Sequence, residues 1–226
     1  MISKLKEKKP MSLAQWAYIS IKDYIINNNL EPGSQLNIEE LTLELNISRT
    51  PVREALIRLK QEGIVTSMPR VGFFVSGITK KEFDDLFELR LLVECYVAEQ
   101  AAKRMSDKTL ESLEKTLERS NLLVQEGKTK EFNQLEIIFH NTIIESLHNN
   151  RISAVMNSVE DLLYKERLIA IGSLENVKQS VVEHEKILKA IQNRDFVLSN
   201  RAMEEHLLNV KIRLEKILDF QDSESQ

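Results

Sequence analysis

Histidine occurs four times in the chain, at positions 140, 148, 184 and 206. Three of the four stand where imidazoles can act together. Glu136 and His140 are four residues apart, so on a helix their side chains leave one face and can share a cation. His184 interrupts the apolar line Val181, Leu188, Ile191, and His206 has the same relation to Met203 and Val210. Three imidazoles and one carboxylate brought in from three helices form the donor set of a divalent transition metal such as Zn, Ni, Mn or Fe, with positions open to water or ligand. The competing reading is that each histidine is a hydrogen-bonded core residue, and His148, beside Asn149 and Asn150, belongs with that reading. A metal-dependent hydrolase or oxygenase is the alternative function. It is disfavoured because no second carboxylate–histidine set or nucleophile motif supplies a general base.

A different chemistry is written in Ser48-Arg49-Thr50-Pro51-Val52-Arg53. Arg49 and Arg53 share one helix face, while Val52, Leu56 and Leu59 occupy the other. Arginine pairs bidentately with guanine O6/N7 or with phosphate, and the hydroxyls of Ser48 and Thr50 suit phosphate oxygens at a helix N-terminus. Arg70 and Gly72 fall in a turn, with Gly72 expected at a hairpin tip where a missing Cβ permits close approach to a sugar-phosphate backbone. Solvated arginines on a helix-turn-helix that binds protein are the competing reading.

The elements that must position these groups follow from the breakers. All four prolines and four of the six glycines lie in the first 77 residues of the 226, which leaves a long tract with Gly127 and Gly172 alone. Such a tract reads as helices. A capping box, Thr79 with Glu82, opens the first of six expected bundle helices. The others are 110–123, one from near Lys130 through Leu147, 152–171 ended by Gly172, 177–191 and 197–218. In front of them stand three helices, near 13–28, 38–45 behind an Asn37–Glu40 capping box, and from an N-cap at Ser48 to Gly63. Ile64-Val65-Thr66 and Phe73-Phe74-Val75 then make a hairpin, so the order is that of a winged helix-turn-helix. The expected fold is mainly α, with a winged helix-turn-helix over residues 1–77 and an all-α antiparallel bundle over 78–226.

Charge divides at the same place. The whole chain is mildly acidic, with a formal net charge of −4, which taken alone argues against a nucleic-acid surface. Residues 1–77, however, hold ten Lys and Arg against eight Asp and Glu, a net of +2, and the remainder is at −6. Cys95 is the single cysteine, so no intramolecular disulfide framework exists. No apolar run approaches the ~18 to 20 residues of a membrane span, and the lysines of Met1–Pro10 precede no apolar core of a secretory signal. A reducing cytoplasm is the expected location.

Leu45-Asn46-Ile47-Ser48-Arg49-Thr50-Pro51-Val52-Arg53-Glu54-Ala55-Leu56, with Leu30-Glu31-Pro32-Gly33-Ser34-Gln35-Leu36 before it and Gly72-Phe73-Phe74-Val75 after it, resembles the winged helix of GntR-type bacterial regulators. The resemblance implies that Arg49, Thr50, Arg53 and Gly72 take the DNA-contacting places of that family. One departure is Glu39, where many members carry a DNA-touching arginine. Glu136-x-x-Phe139-His140, Glu183-His184-x-x-Ile187-x-x-Ala190-Ile191-x-x-x-Asp195 and Met203-x-x-His206-Leu207, with Arg90 and Glu94, resemble the FCD ligand-binding domain of its FadR-like branch. That likeness implies a divalent metal on Glu136, His140, His184 and His206, with Glu136 standing at the family's Asp position. It also implies a small carboxylate effector, for which Arg90 and Arg167 are candidates through the guanidinium fork. A homodimer that reads an inverted repeat in double-stranded DNA, acting as a repressor and away from any membrane, completes the expectation.

Overall fold

The computed structural model describes residues 11–27, 30–170 and 173–218. The chain divides into two compact units, Met1–Gly77 and Ile78–Gln226. In the first, α1 (Leu13–Asn27), β1 (Gln35–Leu36), α2 (Ile38–Leu45), α3 (Arg49–Gln61), β2 (Val65–Met68) and β3 (Gly72–Val75) follow in order. Helix α1 packs on α3 through Ile21, Ile25, Val52, Leu56 and Leu59, all buried. This apolar face fixes which side of α3 is left to solvent.

The turn that aims α3 is set by Asn46, whose left-handed backbone (φ 50°) caps α2 while the Ile47 N–H returns to the Thr42 carbonyl. Asparagine tolerates this conformation and closes the helix as glycine does elsewhere. At the other end of α2, Asn37 caps as expected, but its side chain accepts from the Glu39 N–H. The Glu40 carboxylate meets the Asn37 side chain at 3.4 Å rather than its backbone, so the reciprocal box is not closed. At the end of α3, Gly63 (φ 71°) and the Ile64 N–H bond to the Leu59 carbonyl terminate the helix.

Two expectations for the wing change. The sheet has three strands, in the order β1-β3-β2, where the sequence pattern marks only the hairpin. A strand of two residues, Gln35 and Leu36 opposite Phe74 and Phe73, carries too little alternation to be read. Gly72 is not at the hairpin tip: it opens β3 opposite Met68, and Pro69, Arg70 and Val71 form the turn.

The second unit has seven described helices, α4 (Lys80–Arg104), α5 (Asp107–Gln125), α6 (Thr129–Glu145), α7 (Asn150–Asn157), α8 (Glu160–Ala170), α9 (Leu174–Gln192) and α10 (Phe196–Leu218). The Thr79–Glu82 box caps α4 in both directions. One expected helix, 152–171, is two. Ser158 donates from Oγ to the Val155 carbonyl and the Val159 N–H bonds Met156, so the ladder tightens and breaks without glycine or proline. Its expected stop at Gly172 lies outside the described residues. The core joins Phe83, Leu86, Phe87 and Val97 of α4 to Ile187 and Ile191 of α9 and Met203, Leu207 and Val210 of α10. Among the described residues no helix is long and apolar enough to cross a membrane.

Candidate functional site

The exposed start of α3 carries the first constellation. Ser48 sits at the N-cap in extended conformation and its side chain makes no capping bond, so the hydroxyl stays available. Arg49, Thr50 and Arg53 are exposed, while Pro51 and Val52 are buried beneath them. Pro51 is the third helical residue, where no intrahelical N–H bond is lost. Arg49 is not unpaired: its Nη2 lies 2.8 Å from Glu39 Oε1 on α2. Arg70 is exposed in the wing turn with a left-handed backbone (φ 63°). The backbone of Gly72 (φ 148°) is one that side chains rarely adopt, and a Cβ there would stand 3.1 Å from Gln35 Nε2.

The second constellation is inside the bundle. Glu136 and His140 on α6, His184 on α9 and His206 on α10 offer donor atoms that all lie within 4.8 Å of one another. The three imidazoles are buried, and Phe139 stacks on His184 with centroids 4.1 Å apart. His140 Nδ1 meets Glu94 Oε2 at 2.6 Å, and His206 Nδ1 meets Glu183 Oε2 at 2.8 Å. Each carboxylate acceptor places a proton on Nδ1, so that His206, and His140 once its second proton is lost, presents an Nε2 lone pair to the cluster, as a metal ligand requires. Inside it, His140 Nε2 is 3.2 Å from Glu136 Oε1, His184 Nε2 is 3.6 Å from Glu136 Oε2, and His184 Nε2 is 3.3 Å from His206 Nε2.

These contacts leave a deficit. Glu136 Oε2 and His140 Nε2 are buried atoms without a hydrogen-bond partner. Burial opposes the Glu136 charge, yet the three histidines hold its pKa well below the usual carboxylate range. Burial also pushes His184 well below its ordinary value and lowers His206, so both offer neutral donors. For His140 burial acts downward, but Glu94 and Glu136 raise it to about 9. In the bare cluster a proton on His140 answers the two carboxylates, and a divalent cation would take that place with release of the proton. Orphaned atoms, convergent lone pairs and anionic surroundings all fit a metal.

The candidate effector arginines differ. Arg90 is buried and already committed, from Nε to Glu94 Oε1 at 2.6 Å and from Nη1 to Glu166 Oε2 at 3.3 Å. Arg167 makes no hydrogen bond or ion pair with any described residue, and burial lowers its pKa. With Arg90, His140, Asn141 and Tyr164 it lines a cavity of about 130 Å³. A half-buried guanidinium without an ion-pair partner suits an anion. His148 is exposed at a left-handed turn and takes no part.

Sequence reasoning left Glu94 and Glu183 without roles and missed Glu166 and Arg213. Arg213 grips both Glu183 oxygens, at 2.7 and 3.0 Å, and so holds the carboxylate that orients His206. A signal for part of this existed. Arg90 and Glu94 fall on the same helical stripe as Phe83, Phe87 and Val97, and charge on a buried stripe asks for partners.

A winged helix with an arginine-bearing reading helix, followed by a helical bundle around a buried donor cluster, defines a two-module transcription regulator. Two family models match the chain, "Bacterial regulatory proteins, gntR family" over residues 13–75 and "FCD domain" over 85–209. The chain belongs to the GntR family of bacterial transcription regulators, in its FCD-containing branch. It is 27% identical to the gluconate operon transcriptional repressor of Bacillus licheniformis, over 85% of this chain and 81% of that protein. It is 32% identical to an uncharacterized HTH-type transcriptional regulator in an unstable DNA locus of Streptomyces ambofaciens, over 88% and 84%. Among solved structures, E. coli McbR/YncC shares the fold with a TM-score of 0.77 at 18% identity, covering 92% of this chain and all 100% of the other. These relatives are regulators, and the enzymatic alternative is set aside on that ground.

Proposed function

We propose that this regulator is a homodimeric repressor whose bundle binds a small carboxylate at a metal centre and thereby changes its grip on an inverted-repeat operator. The observation that carries the reading is the cluster of three buried histidines and the partly exposed Glu136, with two orphaned donor atoms, near Arg167, which has no ion-pair partner. Glu136, His140, His184 and His206 would hold the ion, which when bound supplies a Lewis-acidic seat for an anionic oxygen. Glu94 and Glu183 fix the histidine tautomers, and Arg213 fixes Glu183. Arg167 receives the carboxylate, and Arg90 forms the wall of the cavity through its two carboxylate partners.

On the other unit, Arg49 and Arg53 read base edges or phosphate from the exposed face of α3. Ser48 and Thr50 meet phosphate at the helix N-terminus, and Arg70 and Gly72 bring the wing to the backbone. A ligand that binds the DNA-competent and DNA-incompetent states unequally shifts the balance between them, and DNA must shift ligand affinity by the same factor.

The test is a matched pair of titrations. Carboxylates are screened for those that raise the melting temperature of zinc-loaded protein, and the hits are added to its complex with operator fragments selected from genomic DNA. A hit that releases DNA from zinc-loaded protein, but not from protein stripped of metal, is the expected result. Stabilisation by no carboxylate, or release independent of metal, contradicts the reading.

A further inference from the structure

We propose that Arg49 reads a guanine rather than a phosphate, and that Glu39 is the positioning residue that commits it to that base. The proposal rests on the DNA-reading role given to α3 above, and adds to it the contact that Arg49 makes and the residue that selects it. Arg49 is the first residue of α3 and Glu39 the second of α2, so the pair joins the starts of the two helices of the helix-turn-helix. The Asn37 side chain accepts from the Glu39 N–H at 2.9 Å, which anchors the backbone that carries the carboxylate. Glu40 turns back to the Asn37 side chain, whereas Glu39 Oε1 reaches across to Arg49 Nη2 at 2.8 Å.

Arg49 is not charged for the benefit of its helix. A cation at the N-terminus faces the positive end of the helix dipole, and an ion pair between two exposed side chains contributes little to stability. What the pair does is discriminate between acceptors. A phosphate brought to Arg49 would also be brought to the Glu39 carboxylate, and like charges at that range repel. Guanine presents O6 and N7, which are uncharged acceptors and meet no such opposition. The guanidinium has five N–H donors in a rigid plane, so the contact at Nη2 still leaves enough of them for a bidentate pair with O6 and N7. A tethered guanidinium also has less rotamer freedom to lose on docking. Arg53, one turn further along α3, makes no ion pair with any described residue and stays free to follow phosphate.

The experiment selects bound duplexes from a pool of randomised half-sites with the full-length protein. The selected duplex, and copies in which each G·C pair is replaced by A·T, are then titrated by fluorescence anisotropy. One G·C pair in each half-site should be preferred over A·T about ten-fold or more by the parent protein. Arg49→Ala should abolish the preference at that pair. Glu39→Ala should cut it to about three-fold or less, because the released arginine falls back on phosphate, which carries no sequence information. The A·T duplex should be bound by this variant at least as tightly as by the parent. A parent with no G·C preference that answers to Arg49→Ala overturns the proposal, as does a preference that survives Glu39→Ala. Weaker binding of the A·T duplex by Glu39→Ala also overturns it, since Arg49 would then have gained nothing from phosphate. A pair that answers to Glu39→Ala but not to Arg49→Ala would make Glu39 a base reader in its own right, against the positioning role. Selection of no duplex by the parent removes the DNA-reading role itself, whereas a selected sequence indifferent to Glu39 removes only this proposal.

Discussion

The groups with chemistry in the bundle are withdrawn from water, whereas those of the reading helix stand in it. His140, His184 and His206 are at most 3% exposed, but the side chains of Arg49 and Glu39 are 71% and 59% exposed. Buried polar groups must be answered one by one, and the bundle does so with Glu94, Glu183, Arg90 and Arg213 until, among the described residues, Asn133 Oδ1, Glu136 Oε2 and His140 Nε2 remain. On the reading proposed above, Glu136 Oε2 and His140 Nε2 would face a cation, and Arg167 an anion beside it. The exposed arginines leave no such remainder, because solvent satisfies them. On the proposed reading their function is carried by direction and charge, and it emerges when DNA displaces that solvent.

Removal of metal should have the largest effect. At a thousand-fold excess over its dissociation constant, a bound ion contributes about 4 kcal/mol. Chelation should then lower the melting temperature of the bundle by roughly 10 °C, as followed by calorimetry. A transition untouched by chelator would erase the contrast between the two units. Next is Arg49→Ala, which should weaken operator binding by about 1–3 kcal/mol if its contact is to a base. Fluorescence anisotropy on operator and scrambled duplexes separates this from a phosphate contact, which would cost both equally.

Glu183→Gln sharpens the bundle side. It keeps the shape of the side chain but weakens the hold on His206 Nδ1, and metal affinity should fall about 10- to 100-fold in a competition assay. Unchanged affinity would make Glu183 a partner of Arg213 alone. The smallest effect belongs to Glu39→Gln. Its exposed ion pair with Arg49 contributes no more than about 1 kcal/mol to stability. Release of Arg49 should instead appear as a steeper fall of DNA affinity with salt, since one carboxylate no longer opposes the phosphates. An unchanged salt slope would deprive Glu39 of any part in DNA binding.

The two regions were also unequally legible in the sequence. A histidine on an apolar stripe is conspicuous, so Glu136, His140, His184 and His206 can be gathered before any fold is known, and the structure brings all four together. Their supporting carboxylates are harder to find, because Glu94 meets His140 across 46 residues of chain and no periodicity reports that distance. On the reading helix, spacing gives the exposed face of Arg49 and Arg53. It does not give the ion pair to Glu39, which depends on the angle set by the left-handed turn at Asn46. The break at Ser158 and the short strand β1 escaped for related reasons: the first has no glycine or proline to mark it, and the second has two residues.

Equilibrium dialysis of the purified chain against zinc, with the bound ion counted by elemental analysis, tests the central claim most directly. One ion per chain for the parent protein, and none for the double variant His184→Ala with His206→Ala, is the predicted result. A parent that binds no zinc, or a double variant that binds as much as the parent, would contradict it.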